Sequence, residues 1–266
     1  MIVAVFRLEL RRSRALTGWL ALVGALYAGM VAAIYPILRS NMAVFDDYMK
    51  LFPKEALSIF GMEGSLVDPG FFYNTYVGFM LWPIVAGIGG IVVATRAAAD
   101  TERGWIELPL SGHLGRWRYL AASMGVQVVV IAALAASIIG AMLGVGAVAG
   151  DGFETGPFLL AGVASCLFGW LIAAVATLVA VATLSRGTAA GVVAGGLLLM
   201  YLLRAIATIQ PDLNWIATLS AFHYLYPAAI IDSGTLPVGE ALLFAVLSLA
   251  AWALAAWRFE RRDLVV

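Results

Sequence analysis

Apolar runs long enough to cross a bilayer recur from one end of this chain to the other. The hydrocarbon core of a membrane is about 30 Å thick, and about 20 apolar helical residues cross it. Backbone polar groups find no water there, so repeated runs of this length demand helices that satisfy their own hydrogen bonds. Only 12% of the residues are charged, against roughly 25% in a soluble domain. No polar stretch is long enough for a separate soluble unit. The expectation is an all-α polytopic membrane protein, one transmembrane domain over residues 1–266 with six transmembrane helices.

The pattern predicts spans over about 16–38, 71–95, 119–149, 157–184, 188–209 and 238–257. Pro83 falls inside the second, where a missing N–H predicts a kink. Net charge is zero, so the total says nothing of partners, but its distribution does. With the N-terminus in the cytoplasm, the inner segments hold Arg7, Arg11, Arg12, Arg14, Arg96, Arg103, Arg116, Arg118, Arg186, Arg258, Arg261 and Arg262. The outer segments hold only Arg39, Lys50 and Lys54. The positive-inside rule therefore places both termini and the segment 96–118 in the cytoplasm.

Four segments outside the spans carry their own signals. Residues 1–15 form an amphipathic pattern, with Arg7, Arg11 and Arg14 at helical spacing and Val3, Phe6 and Leu10 on another side. That predicts an interfacial helix whose arginines meet lipid headgroups, besides serving as an orientation signal. Residues 39–70 predict a short outer helix with Met49, Phe52, Ala56, Ile59 and Phe60 on its apolar side. Residues 210–237 carry Trp215, Phe222, His223, Tyr224 and Tyr226, the residue types that favour a bilayer interface. An outer gate or exit is the functional alternative for these outer segments.

The fourth is residues 96–118, RAAADTERGWIELPLSGHLGRWR, which interleaves charges with Gly104, Pro109, Gly112 and Gly115. Leu108 and Leu110 offer apolar area for docking, while Glu102 and Glu107 can pair with arginines on a partner. Within the spans, Gly187, Gly191 and Gly195 fall four apart on one helix face, where helices can approach closely. That face is a subunit interface or a packing surface within the chain. Arg204 lies inside the fifth span, and a charge there usually faces protein or water. It either lines a translocation path or snorkels to the outer interface.

No enzyme site emerges. His113 and His223 are assigned to opposite sides of the membrane, and Cys166 is the lone cysteine. The sequence holds no G-x-x-x-x-G-K-[ST] phosphate loop, no G-x-S-x-G elbow and no H-E-x-x-H motif. No metal site, no cofactor and no nucleic-acid partner is expected for this chain.

Taken together, Glu102, Gly104, Glu107, Leu108, Ser111 and Arg116 resemble the coupling segment of ABC-2 type ABC transporter permeases, the short six-helix membrane subunits. The tail Phe259-Glu260-Arg261-Arg262-Asp263-Leu264 and the outer LFPKEALSIFG resemble that family too. Trp105, Pro109 and Gly112-His113 depart from its usual pattern. The resemblance implies that 96–118 is a coupling helix seated on a cytosolic ABC ATPase subunit, present in two copies, which carries ATP and Mg. It implies an exporter working as a homodimer, or paired with a closely related permease, in the plasma membrane. An ion- or proton-coupled secondary transporter is the alternative; it calls for broken helices or ionisable residues at mid-bilayer.

Overall fold

The computed structural model describes residues 2–41, 51, 68–103, 115–150 and 153–261. Among these there is no strand. The expected six spans are present, as helices over Ile2–Ser40, Pro69–Glu102, Arg116–Ala149, Thr155–Thr183, Arg186–Ile209 and Val238–Arg261. The elements are α1 (Ile2–Ser40), α2 (Pro69–Tyr73), a π-helical stretch (Asn74–Leu81), α3 (Trp82–Ala94) and α4 (Arg96–Glu102). They continue with α5 (Arg116–Ala149), α6 (Thr155–Thr183) and α7 (Arg186–Ile209). A 3-10 stretch (Pro211–Leu219), α8 (Ala221–Tyr224), α9 (Pro227–Ser233) and α10 (Val238–Arg261) complete the described chain.

Three boundaries differ from expectation. Residues 2–40 form one helix of 39 residues, so the described part of 1–15 is continuous with the first span. At 1.5 Å per residue it is about 58 Å long, well beyond a bilayer core. The second span runs on as α4, so the first seven residues of the expected 96–118 loop are helical. The disturbance expected at Pro83 takes the form of a register change. Trp82 N–H donates to the Val77 carbonyl, five residues back, and Pro83 follows at the start of α3. The expected surface helix within 39–70 lies outside the described residues.

The core sits where α1, the second span, α5 and α6 meet. Glycines permit the approach: a Cβ on Gly89 would come 2.8 Å from Leu134, and one on Gly169 would come 2.6 Å from Ile131. Close packing of small residues is the main attraction available between helices in lipid. Buried polar groups tie the same helices. Trp82 Nε1 donates to the Ser165 carbonyl at 3.0 Å. Gln127 Nε2 donates to Thr177 Oγ1 at 2.9 Å, and Trp252 Nε1 donates to Gln127 Oε1 at 3.1 Å. That second set joins α5, α6 and α10.

The expected glycine face on α7 is not part of this core. Among the described residues, nothing lies within 4 Å of a Cβ built on Gly187, Gly191 or Gly195. Val192, Leu198, Leu199, Leu202 and Ile206 on the same helix are exposed. None of the described residues packs against that stripe.

Candidate functional site: the arginine-rich end

The start of α1, α4, the start of α5 and the last turns of α10 converge at one end of the bundle. Tyr119, Leu120, Ala97, Val181, Ala255 and Phe259 form a buried cluster there, with Val5 packed against it. Phe259 is fully buried. Phe6 approaches α5 at Gly125, 3.3 Å from the position of a Cβ. The apolar side of the amphipathic N-terminal stretch therefore meets protein at Val5 and Phe6. Val3 is exposed.

Above this apolar floor lies a cluster of four charges. Glu9 is 2% exposed and Asp100 6% exposed, so neither carboxylate is solvated in the ordinary way. Burying a charge is costly unless it is paired and hydrogen-bonded. Both are. Arg12 Nη1 donates to Glu9 Oε1 at 2.7 Å and to Asp100 Oδ2 at 3.0 Å, while Arg12 Nη2 donates to Asp100 Oδ1 at 3.0 Å. The Arg12–Asp100 pair is thus two-pronged, the geometry that fixes guanidinium and carboxylate in one plane. Arg96 Nη1 lies 3.4 Å from Glu9 Oε2 and donates to Ser13 Oγ at 2.6 Å and the Glu9 carbonyl at 3.1 Å. The Tyr119 hydroxyl donates to Asp100 Oδ2 at 2.9 Å. Two acids and two arginines from α1 and α4 cancel, and α5 adds a neutral donor.

The sequence singled out the loop and the exposed arginines, not this cluster. Arg7, Arg11, Arg12 and Arg14 are all exposed and Glu9 is buried, and of these arginines Arg12 reaches across to Asp100 on α4. The available signal was charge context. Glu9 is the lone acid in a stretch of four arginines, and Asp100 follows three alanines.

Of the expected coupling residues, Glu102 and Arg116 fall within the described chain. Glu102 closes α4, is exposed, and its Oε1 accepts from the Arg186 backbone N–H at 3.1 Å. It therefore caps the start of α7, where an acid complements the helix dipole. Arg116 opens α5 and is half-buried. Gly104, Glu107, Leu108, Leu110 and Ser111 lie outside the described residues.

A family model described as ABC-2 family transporter protein matches residues 3–264. The chain belongs to the ABC-2 transporter family. The match runs through all six spans and both ends of the bundle, so this ABC-2 chain is a multi-pass transmembrane permease. Membrane subunits of this family associate with an ABC ATPase. A comparison with curated proteins returns no match.

The opposite end of the ABC-2 bundle is held differently. Tyr35, Phe72, Phe153 and Phe158 stack in series, with ring centroids 4.9 Å (Tyr35–Phe72), 5.1 Å (Tyr35–Phe153) and 4.8 Å (Phe153–Phe158) apart. Phe222 is 2% exposed and lies 5.1 Å from Phe168, so it is a core ring and not the bilayer-interface aromatic expected of segment 210–237. Trp215 and Tyr226 are exposed, as an interface would want. Arg204 is drawn to this aromatic group. Its Nη1 donates to the Phe222 carbonyl, and its guanidinium stacks 5.0 Å above Phe79. It is half-buried against protein.

A carboxyl pair completes this end. Asp68 Oδ1 accepts from Gly70 N–H at 2.9 Å, capping α2, and the Asp232 carboxyl of α9 neighbours Asp68. Two adjacent carboxyls disfavour both being ionised. Partial burial and then the neighbouring Asp68 push the Asp232 carboxyl up to about 6.

Proposed function

We propose that this permease is the membrane half of an ATP-driven exporter, working as a dimer with two separate ATPase subunits. The observation that carries the reading is the family match over residues 3–264. The arginine-rich end faces the cytoplasm, as the positive-inside rule favours, and the family membership suits a place in the plasma membrane. The segment 96–118 docks on the ATPase through Glu102, Gly104, Glu107, Leu108, Leu110, Ser111 and Arg116. ATP and Mg bind the partner, whose cycle drives this chain between inward- and outward-open states. Glu102 suits the role because it bonds to the start of α7 and so links the loop to the fifth span.

The dimer forms through α7. Gly187, Gly191 and Gly195 present a flat stripe with none of the described residues against it, which suits close approach of a second helix. Arg204 stands at the outer end of the same helix and contributes to the path.

Co-expression with a candidate ATPase tests the reading. The expected result is a complex that hydrolyses ATP faster when a transported lipid or drug is present. Absence of any bound ATPase would favour ion- or proton-coupled transport instead. Gly191→Leu and Gly195→Leu should dissociate the dimer on size-exclusion chromatography while leaving the monomer folded; an unchanged dimer would move the interface elsewhere.

A further inference from the structure

Asp100 and Tyr119 flank the segment 103–115, one before it and one after. The Asp100 carboxylate joins them: Oδ2 accepts from the Tyr119 hydroxyl at 2.9 Å and from Arg12 Nη1 at 3.0 Å. Oδ1 takes the second prong of Arg12 at 3.0 Å. One buried side chain therefore touches the entry of the segment, its exit and the first helix of the chain. Arg12 is held in turn by Glu9, one turn back on α1, and Glu9 is held by Arg96, one turn back from Asp100 on α4. The ring closes on itself: Asp100–Arg12–Glu9–Arg96, and back to Asp100 along α4.

Such a ring does more than neutralise charge. Two-pronged contacts fix direction as well as distance. The two carboxylates are buried, so losing a partner leaves a poorly solvated charge, while the Arg12 side chain stays 34% exposed. Both ends of the segment are thus fixed relative to α1 as well as to each other.

We propose that Asp100 is the positioning residue of the ATPase-docking loop, holding its two ends at a set separation and tying both to α1. A push on the loop then moves the first span with the second and third, rather than bending the loop on its own stalks. Asp100 touches no cargo and no nucleotide; it acts through the loop. This rests on the reading of 96–118 as the docking segment, but its structural half does not need the ATPase.

The test uses spin labels at cysteines replacing Arg103 and Gly115, in a Cys166→Ala background, with the chain in lipid nanodiscs. The native pair should give a single narrow distance distribution. Asp100→Asn removes the ion pair and should broaden it. Tyr119→Phe removes one hydroxyl and keeps the ring, so it folds even if the first variant does not, and should broaden it less. In the assembled complex, Asp100→Asn should retain the ATPase and its hydrolysis but lose transport per ATP by about tenfold or more, as breaking a buried pair disrupts what it holds. Asp100→Glu, which keeps the charge, should recover part of that loss. Unchanged narrow distances in both Asp100→Asn and Tyr119→Phe overturn the proposal, as does full transport per ATP in Asp100→Asn. Failure of the native chain to bind any ATPase would instead strike the docking reading and leave the distance result to stand by itself.

Discussion

The two ends of this bundle are built from different forces. At the arginine-rich end, two buried carboxylates and two arginines meet at 2.7–3.4 Å across α1 and α4, with Tyr119 of α5 joining them. At the opposite end, rings at centroid separations of 4.8–5.1 Å link α1, α2 and the approach to α6. Paired charges are directional and punish displacement, because each lost contact leaves a buried charge alone. Aromatic contacts accept several tilts and offsets at similar energy. The first end is suited to transmit a push without slack. The second is suited to rearrange. The carboxyl pair of Asp68 and Asp232 adds a joint there whose hold depends on a proton.

The contrast can be broken by substitution. The largest effect belongs to the aromatic end. Phe222→Ala removes a fully packed ring and should cost about 3–5 kcal/mol. Because the loss is dispersion and burial, thermal unfolding in detergent should drop equally at low and high salt. A strong salt dependence would mean that Arg204, not the ring, holds that region.

Arg12→Gln at the opposite end should cost less, about 2 kcal/mol. A broken buried pair costs about 3–5 kcal/mol, but the Arg12 side chain is 34% exposed and solvent returns part of that. A second substitution, Asp100→Asn, on top of Arg12→Gln should add little, since the partner charge is then gone from both sides. Additive losses in that double-mutant cycle would show that the two residues act separately.

The smallest effect is the pH response of the far end. The Asp232 carboxyl sits at about 6 in the folded protein, above its ordinary 3.8. The folded state therefore holds the proton more tightly than the unfolded chain. Stability from the pair is full below the ordinary carboxyl range and is lost as pH rises through about 6. Asp232 is exposed, so solvent screens the pair and the change should be about 1 kcal/mol or less. Melting temperature measured from pH 4.5 to 7.5 should fall in the native chain and fall less in Asp232→Asn. Equal slopes in the two would remove the carboxyl pair from the account.

The spans were legible in the sequence because hydropathy over about 20 residues is a direct readout of bilayer thickness. The six observed spans include every predicted one. The cluster at Glu9, Arg12, Arg96 and Asp100 was not, because residues 88 apart in sequence meet only through packing of α1 against the second span. Periodicity read Arg7, Arg11 and Arg14 correctly as exposed, but it had no way to turn Glu9 inward. The π-helical stretch before Pro83 was hidden for another reason: a change of hydrogen-bond register leaves no mark in composition. Phe222 misled because aromatics between prolines read alike in a core and at a bilayer surface. The glycines that pack the core, Gly89 and Gly169, lack the four-residue spacing that drew attention to Gly187, Gly191 and Gly195.

The central claim is that energy enters this chain through the segment 96–118, and charge reversal there tests it most directly. Glu107→Lys should set like charges against basic groups of an ATPase, costing about 2 kcal/mol or more where the contact is desolvated. Leu108→Asp should remove apolar docking area and bury a charge. Asp151→Lys is the control, on the side assigned to the exterior. Co-purification of the ATPase and substrate-stimulated ATP hydrolysis should both fall in the two loop variants, at normal membrane levels, and stay native in the control. If Glu107→Lys and Leu108→Asp keep the ATPase bound, its hydrolysis stimulated and transport at native rate, the loop is not where the partner couples and the account fails at its centre.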